Sequence, residues 1–192
     1  MDADDLDWNQ TLRDQWEWHW QHQLQPRLTG LTDDEYFWSP VPGESWNVRP
    51  AGSPAAAAQF GAGDFAIDYG YPEPVPPPFT TIAWRLGHVI VGVLAVRNAT
   101  HFGAAEASYQ TWPYAGTAKA ALGQLDEQLE VWLAGVRGLS DAELRTPLGD
   151  KEPFPDQPMA ALVLHIHREL IHHLSEVCLL RDLYAHTNGA NR

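Results

Sequence analysis

Leu164-His165-Ile166-His167-Arg168-Glu169-Leu170-Ile171-His172-His173-Leu174-Ser175-Glu176 is the stretch from which the rest of the chain is best read. It holds no proline or glycine, and apolar residues recur at spacings of three and four, so it belongs to a long helix predicted from about Met159 to Tyr184. Residues four apart on a helix differ by about 40° around its axis, which puts Glu169 and His173 on one face. His165 lies one turn earlier on nearly the same line. A carboxylate and an imidazole stacked this way can chelate one divalent ion, or they can form a solvated pair. A third ligand would have to come from another helix.

Outward from this segment, three more helices are predicted. The first runs from Asp4 to about Leu28, with Leu12, Trp16, Trp20 and Leu24 as its apolar stripe. A turn at Thr29-Gly30 then leads to a short helical turn that Thr32 caps together with Glu35. The second long helix starts after Phe79-Thr80-Thr81 and reaches about Thr100; it is apolar almost all round and should lie deep in the fold. The third spans about Thr117 to Gly138, with Ala121, Leu122, Leu125, Leu129, Trp132, Leu133 and Val136 as its stripe. Between Ser39 and Phe79 the prolines exclude a long regular element, so residues 39–79 read as one long Pro-rich loop. Trp46, Phe60, Phe65, Tyr69 and Tyr71 give that loop enough apolar surface to lie on the helices, and it has room for a short hairpin. The expected architecture is all-α, a four-helix bundle forming a single domain over residues 1–192.

Composition removes several functions. Twelve basic against twenty-five acidic side chains give a formal charge of −13, which disfavours nucleic acid and anionic lipid as partners. No apolar run approaches the roughly 18 to 20 residues of a membrane span, and the acidic start Met1-Asp2-Ala3-Asp4-Asp5 is unlike an export signal. The expected location is the cytoplasm, which the single Cys178 also fits. Cys178 sits in apolar company and reads as inert core. There is no Gly-rich phosphate loop, Cys-x-x-Cys pair or Gly-x-Ser-x-Gly elbow.

His88 is the polar exception in the second helix, among Leu86, Gly87, Val89 and Ile90. From the residues alone it is either a core histidine bonded to a carboxylate or carbonyl, or a ligand completing the Glu169/His173 pair. His165 can replace or support Glu169. His172 is about 100° around the helix from His173 and should face solvent or another helix, and His167 a solvated or interhelical face. His19 and His22, among Trp16, Trp18 and Trp20, read as packing. Glu176 could bond a ligand ring, or make an ordinary surface contact three residues from His173. Arg85 and Arg181 could each hold a carboxylate on a substrate or thiol, or pair with one of the many acids; Arg85 is the candidate for cofactor binding.

Three stretches resemble the DinB/YfiT-like superfamily, and especially its actinobacterial members related to mycothiol-dependent enzymes. They are Thr80-Thr81-Ile82-Ala83-Trp84-Arg85-Leu86-Gly87-His88, Val41-Pro42-Gly43-Glu44-Ser45-Trp46-Asn47-Val48-Arg49, and Leu164 to Tyr184 with its Leu179-Leu180-Arg181-Asp182-Leu183-Tyr184 ending. The resemblance implies a divalent metal held by His88, Glu169 and His173. Glu169 stands where many members have the first histidine of His-x-x-x-His, which is similar to the His/Glu/His zinc triad of mycothiol-dependent maleylpyruvate isomerase. Zinc, nickel, iron and manganese all suit such ligands, and three protein ligands leave a position for water or substrate.

The resemblance further implies a thiol S-transferase-like enzyme, in which a low-molecular-weight thiol, mycothiol or similar, attacks a small electrophile. Isomerase relatives carry a further C-terminal domain, and this sequence stops soon after the fourth helix, which turns the expectation from isomerase towards transferase. Two alternatives stand beside it. One is a non-catalytic bundle, metal-binding or stress-associated, whose aromatic surface mediates homodimerisation or partner binding. The other is a metal-dependent hydrolase with Glu176 as the base.

Overall fold

The computed structural model describes residues 6–41, 43, 45–54 and 58–188. Three parts of the sequence reading fall outside them: the acidic start through Asp4 and Asp5, and Pro42 and Glu44 of the second motif. Four long helical runs account for most of the chain. We label as α1 the run 8–28, which is α-helical at Trp8–His19, π-helical at Trp20–Leu24 and α-helical again at Gln25–Leu28. Asp7 caps its start by accepting from Gln10 N. The turn Asp33–Phe37, α2, is closed by the expected capping box of Thr32 and Glu35.

The second long run, α3 over residues 82–102, is α-helical at Ile82–His88, π-helical at Val89–Ala95 and α-helical at Val96–Phe102. Thr81 is its cap, accepting from Trp84 N at 3.2 Å. Then follow α4 at Ala118–Arg137, the short α5 at Asp141–Leu144, a 3-10 turn at Gly149–Lys151, and α6 at Met159–Asn188. α3 packs against both α4 and α6, and α1 does the same. The core lies where these meet: Leu12 and Trp16 of α1, Leu86 and Ile90 of α3, Leu125 and Trp132 of α4, Ile166 and Leu170 of α6. Among the described residues no helix is long and apolar enough to cross a membrane.

The protein is mostly helical but not all-α, and residues 39–79 are more than a loop. They contain a three-stranded antiparallel sheet of β1 (Val48–Pro50), β2 (Ala58–Phe60) and β3 (Phe65–Tyr69), with β3 in the middle. Val48 and Phe60 pair with Ile67 from either side. One carboxylate ties the three strands. Asp68, buried at 2% exposure, accepts from Asn47 N at 2.9 Å, Arg49 Nε at 2.8 Å and Gln59 Nε2 at 3.3 Å.

The sheet is fastened to the start of α3. Trp84 Nε1 donates to the Asp68 carbonyl at 2.8 Å, Thr81 Oγ1 donates to Asn47 Oδ1 at 2.8 Å, and Trp46 bridges Thr80 through its backbone. Gly87 permits the approach, because a Cβ there would lie 3.0 Å from the Ile67 side chain. Of the loop aromatics, Trp46, Phe60, Phe65 and Tyr69 are partly covered, whereas Tyr71 is 90% exposed. The sheet thus buttresses the helix that carries His88.

Candidate metal centre

α3 and α6 lie side by side, and their contact brings together residues far apart in sequence. The His88 and His173 rings meet edge to face with centroids 4.8 Å apart. Glu169 Oε2 lies 3.6 Å from His173 Nε2. That separation is too long for a hydrogen bond, yet two donors each roughly 2.0–2.2 Å from one zinc ion would be spaced about this far apart. His173 thus lies beside each of the two residues singled out with it, His88 on α3 and Glu169 one turn earlier on α6.

Each histidine is held from its outer side. His88 Nδ1 is 2.6 Å from the Tyr109 hydroxyl, and its ring stacks on Trp84 at 5.4 Å with only 9° between planes. His173 Nδ1 is 2.9 Å from Glu176 Oε2, and Glu176 in turn pairs closely with Arg85. The Arg85 Nη1 atom also sits 3.3 Å from His173 Nδ1. Both groups near that nitrogen cannot be satisfied by the same proton. The carboxylate is nearer, so Nδ1–H donates to Glu176, and Nε2 is the nitrogen on the Glu169 side. This is the arrangement by which metal-binding imidazoles are oriented, with one nitrogen given to a carboxylate or hydroxyl and the other left as donor.

Burial favours the neutral ring at His88. It pushes the imidazole down to about 4, with the neighbouring His173 and Arg85 adding to the effect, so the ring is neutral at physiological pH. A neutral imidazole is the form that ligates. Burial likewise raises the Tyr109 phenol, which keeps its proton.

Among the described residues, the one group of three potential ligands with all donor atoms close together is a different one and does not include His88 or Glu169. Donor atoms of His172, His173 and Glu176 lie within 4.8 Å of one another. Two features count against it as the primary centre. Glu176 is already committed to Arg85 and to His173 Nδ1. The His172 side chain is 61% exposed, against 13% for His173.

The remaining candidates are placed as follows. His165, half exposed, contacts Arg168 at 2.6 Å and Glu169 at 3.5 Å, so it stands beside Glu169 on the side away from His173. Arg85 faces the centre but is engaged by Glu176; Arg181 is not near it, pairing with Glu35 at 2.9 Å. Glu176, whose default reading was a surface contact, holds a histidine. His167 is interhelical and buried, stacked on Trp16 and edge-on to Trp132. Cys178 is buried as expected, and burial raises its thiol. His22 stacks on Trp18 at the surface.

Sequence reasoning missed Tyr109, which lies in the irregular segment between α3 and α4 where no periodicity applies. A signal did exist in Gly92, one turn after His88 in an otherwise bulky apolar helix. A Cβ at Gly92 would fall 2.1 Å from the Tyr109 hydroxyl and 3.3 Å from His88 Nδ1, so the glycine makes room for the tyrosine to reach the histidine.

No curated protein and no solved structure matches the chain. A family model, that of the DinB superfamily, matches residues 15–177, a span that runs from within α1 to within α6 and includes both helices of the candidate centre. The chain belongs to the DinB superfamily.

Proposed function

We propose that the protein is a divalent-metal-dependent thiol S-transferase whose ion is held by His88, Glu169 and His173. The carrying observation is the pairing of two buried-side imidazoles, each anchored through Nδ1, with a carboxylate 3.6 Å from the inner nitrogen of one of them. Zinc is the ion of choice, since two imidazoles and one carboxylate suit it and leave a coordination position free. When bound, such an ion lowers the pKa of a thiol or water at that position to near neutrality.

The chain's own residues do the rest. Glu176 orients His173 and is itself oriented by Arg85. Tyr109 and the Trp84 face hold the His88 ring at a fixed angle. Trp84, Tyr69 and Tyr109 form an aromatic wall beside that ring, with Tyr69 and Tyr109 centroids 6.0 Å apart, which suits an apolar electrophile. The co-substrate is a low-molecular-weight thiol of the mycothiol class. In the reaction the thiol sulfur would form a bond to carbon of the electrophile while the bond from that carbon to its leaving group breaks, the electron pair departing with the leaving group and the thiol proton passing to solvent; Arg85 is the cation near the centre for a carboxylate on that thiol.

The test is conjugation of mycothiol to monochlorobimane, with the sulfur displacing chloride. Zinc-loaded protein is expected to accelerate it by about a hundredfold over thiol alone, in the range of general catalytic effects from a single activated group, and chelation should abolish the gain. A metal-loaded protein giving no acceleration with mycothiol or glutathione would sink the transferase reading while leaving the metal centre intact.

Tyr109→Phe provides a separate check on the arrangement. Removing the hydroxyl should weaken zinc affinity by about 10- to 100-fold, the usual cost of losing a bond to a ligating histidine, while stoichiometry at saturation stays the same. Competition with a chromogenic chelator measures it. An unchanged affinity would mean the hydroxyl plays no part in orienting His88.

A further inference from the structure

Beside the candidate centre, the end of α3, the connection at 148–157 and the start of α6 enclose a cavity of about 280 Å³. Leu148, Pro153, Phe154 and Leu162 give it an apolar body, while Arg97, Gln157, His165 and Arg168 give it a polar side. Its charge balance runs against that of the chain. Two guanidiniums face one carboxylate, Glu152, in a protein of formal charge −13. Glu152 is also spent, with Oε1 3.0 Å from His101 Nε2 and Oε2 3.3 Å from Arg97 Nη2.

The guanidiniums retain capacity. Arg97 bonds Glu152 and the Gly92 carbonyl, but its Nε is buried with no partner among the described residues. Arg168 bonds His165 Nδ1 at 2.6 Å and reaches Glu169 Oε1 only at 3.4 Å through both Nε and Nη2, at the outer limit of a hydrogen bond. Its side chain is 69% exposed. A planar fork with one strained-long acidic partner is a receptor for a better-placed carboxylate.

We propose that this cavity is a subsite for a small carboxylic acid with an apolar body, its carboxylate on Arg168 and its body against Phe154 and Leu162. Glu169 links it to the metal centre, since Oε2 faces His173 and Oε1 faces Arg168. On the reading under Proposed function, a cation at the centre draws on the Glu169 charge and releases Arg168. Metal and acid then favour each other's binding, reciprocally.

Benzoate is the probe, with uncharged benzamide as its control, titrated into the metal-free full chain and followed by backbone amide shifts. Saturable shifts are expected at Gln157, Ala161 and His165, weaker by roughly tenfold with benzamide and by roughly tenfold in Arg168→Gln, whose exposed side chain can change without disturbing the core. Zinc should tighten benzoate binding, and Arg168→Gln should keep the wild-type zinc content. The proposal is overturned by an absence of saturable shifts, by equal binding of benzamide, by indifference to Arg168→Gln, or by loss of zinc from that variant. Binding seen only with zinc and insensitive to Arg168 also overturns it, because the acid then sits on the metal. Benzoate binding by a protein that takes up no metal would uphold the subsite and remove the metal reading; zinc uptake without benzoate binding does the reverse.

Discussion

Replacing His173 by alanine is expected to take bound zinc from about one ion per chain to below about a tenth, because two ligands on separate helices make too weak a chelate. His173 is the middle of the arrangement. Its Nε2 faces Glu169, its Nδ1 engages Glu176, and its ring edge meets His88. Without it, Arg85 and Glu176 can still pair, and the proposed set keeps only one histidine on α3 and one carboxylate on α6. His88→Ala and Glu169→Gln should lose most of the metal too. His172→Ala should retain it, because that ring is largely exposed and belongs to the competing group of His172, His173 and Glu176. Elemental analysis of the purified, zinc-reconstituted variants decides between the two sets. Retention in His88→Ala with loss in His172→Ala would move the centre to the second set. No metal in the wild-type protein would leave all five residues as a polar network between helices.

The parts of the fold legible in the sequence are those governed by one period over many residues. Leu125, Leu129, Trp132 and Val136 are buried in α4 at the spacings that announced it, and Thr32 and Glu35 form the box their spacing foretold. The sheet was not legible because its strands are three, three and five residues long and sit among prolines and glycines. Its central strand also lacks alternation. Ala66, Ile67 and Asp68 are all buried, since α3 lies beneath Ile67 and the donors gathered by Asp68 lie on the other face. The π-helical segments at Trp20–Leu24 and Val89–Ala95 follow no pattern in the residues that fill them.

At the candidate centre, the four-residue spacing drew attention to Glu169 and His173 and isolation in an apolar helix to His88, but their grouping as a ligand set came from the family resemblance. Tyr109 and the role of Glu176 were not legible, because both depend on which side of a ring a neighbour from another element stands. Spacing along one helix says nothing about that. His167 shows the same limit from the other side. Its neighbours in sequence, Arg168 and Glu169, are polar, and only the packing of α1 and α4 against α6 makes its position interior.

That interior position makes the protein sensitive to acid independently of any metal. His167 is 5% exposed between Trp16 and Trp132, with Nε2 buried and unbonded among the described residues. Burial pushes its pKa down to about 4 from the ordinary 6.5, which the Leu12 carbonyl only partly opposes. An unfolded chain protonates this ring below about pH 6.5, whereas the folded chain does not until about pH 4, so the unfolded state binds more protons throughout that window. Stability rises with pH across it. The contribution is absent above pH 6.5, grows as a penalty on acidification, and levels off below pH 4 at about 3 kcal/mol, following about 1.4 kcal/mol per pKa unit. His88, also depressed, adds its own penalty in metal-free protein. His167→Phe isolates the first: it keeps an aromatic ring between the two indoles and has no proton to bind. Urea unfolding of the metal-free protein at pH 7.5, 5.5 and 4.0 should show wild type losing about 3 kcal/mol more than the variant over that range. Parallel loss in both proteins would mean that His167 stays accessible to protons in the folded state, and that acid acts through His88 and the carboxylates instead.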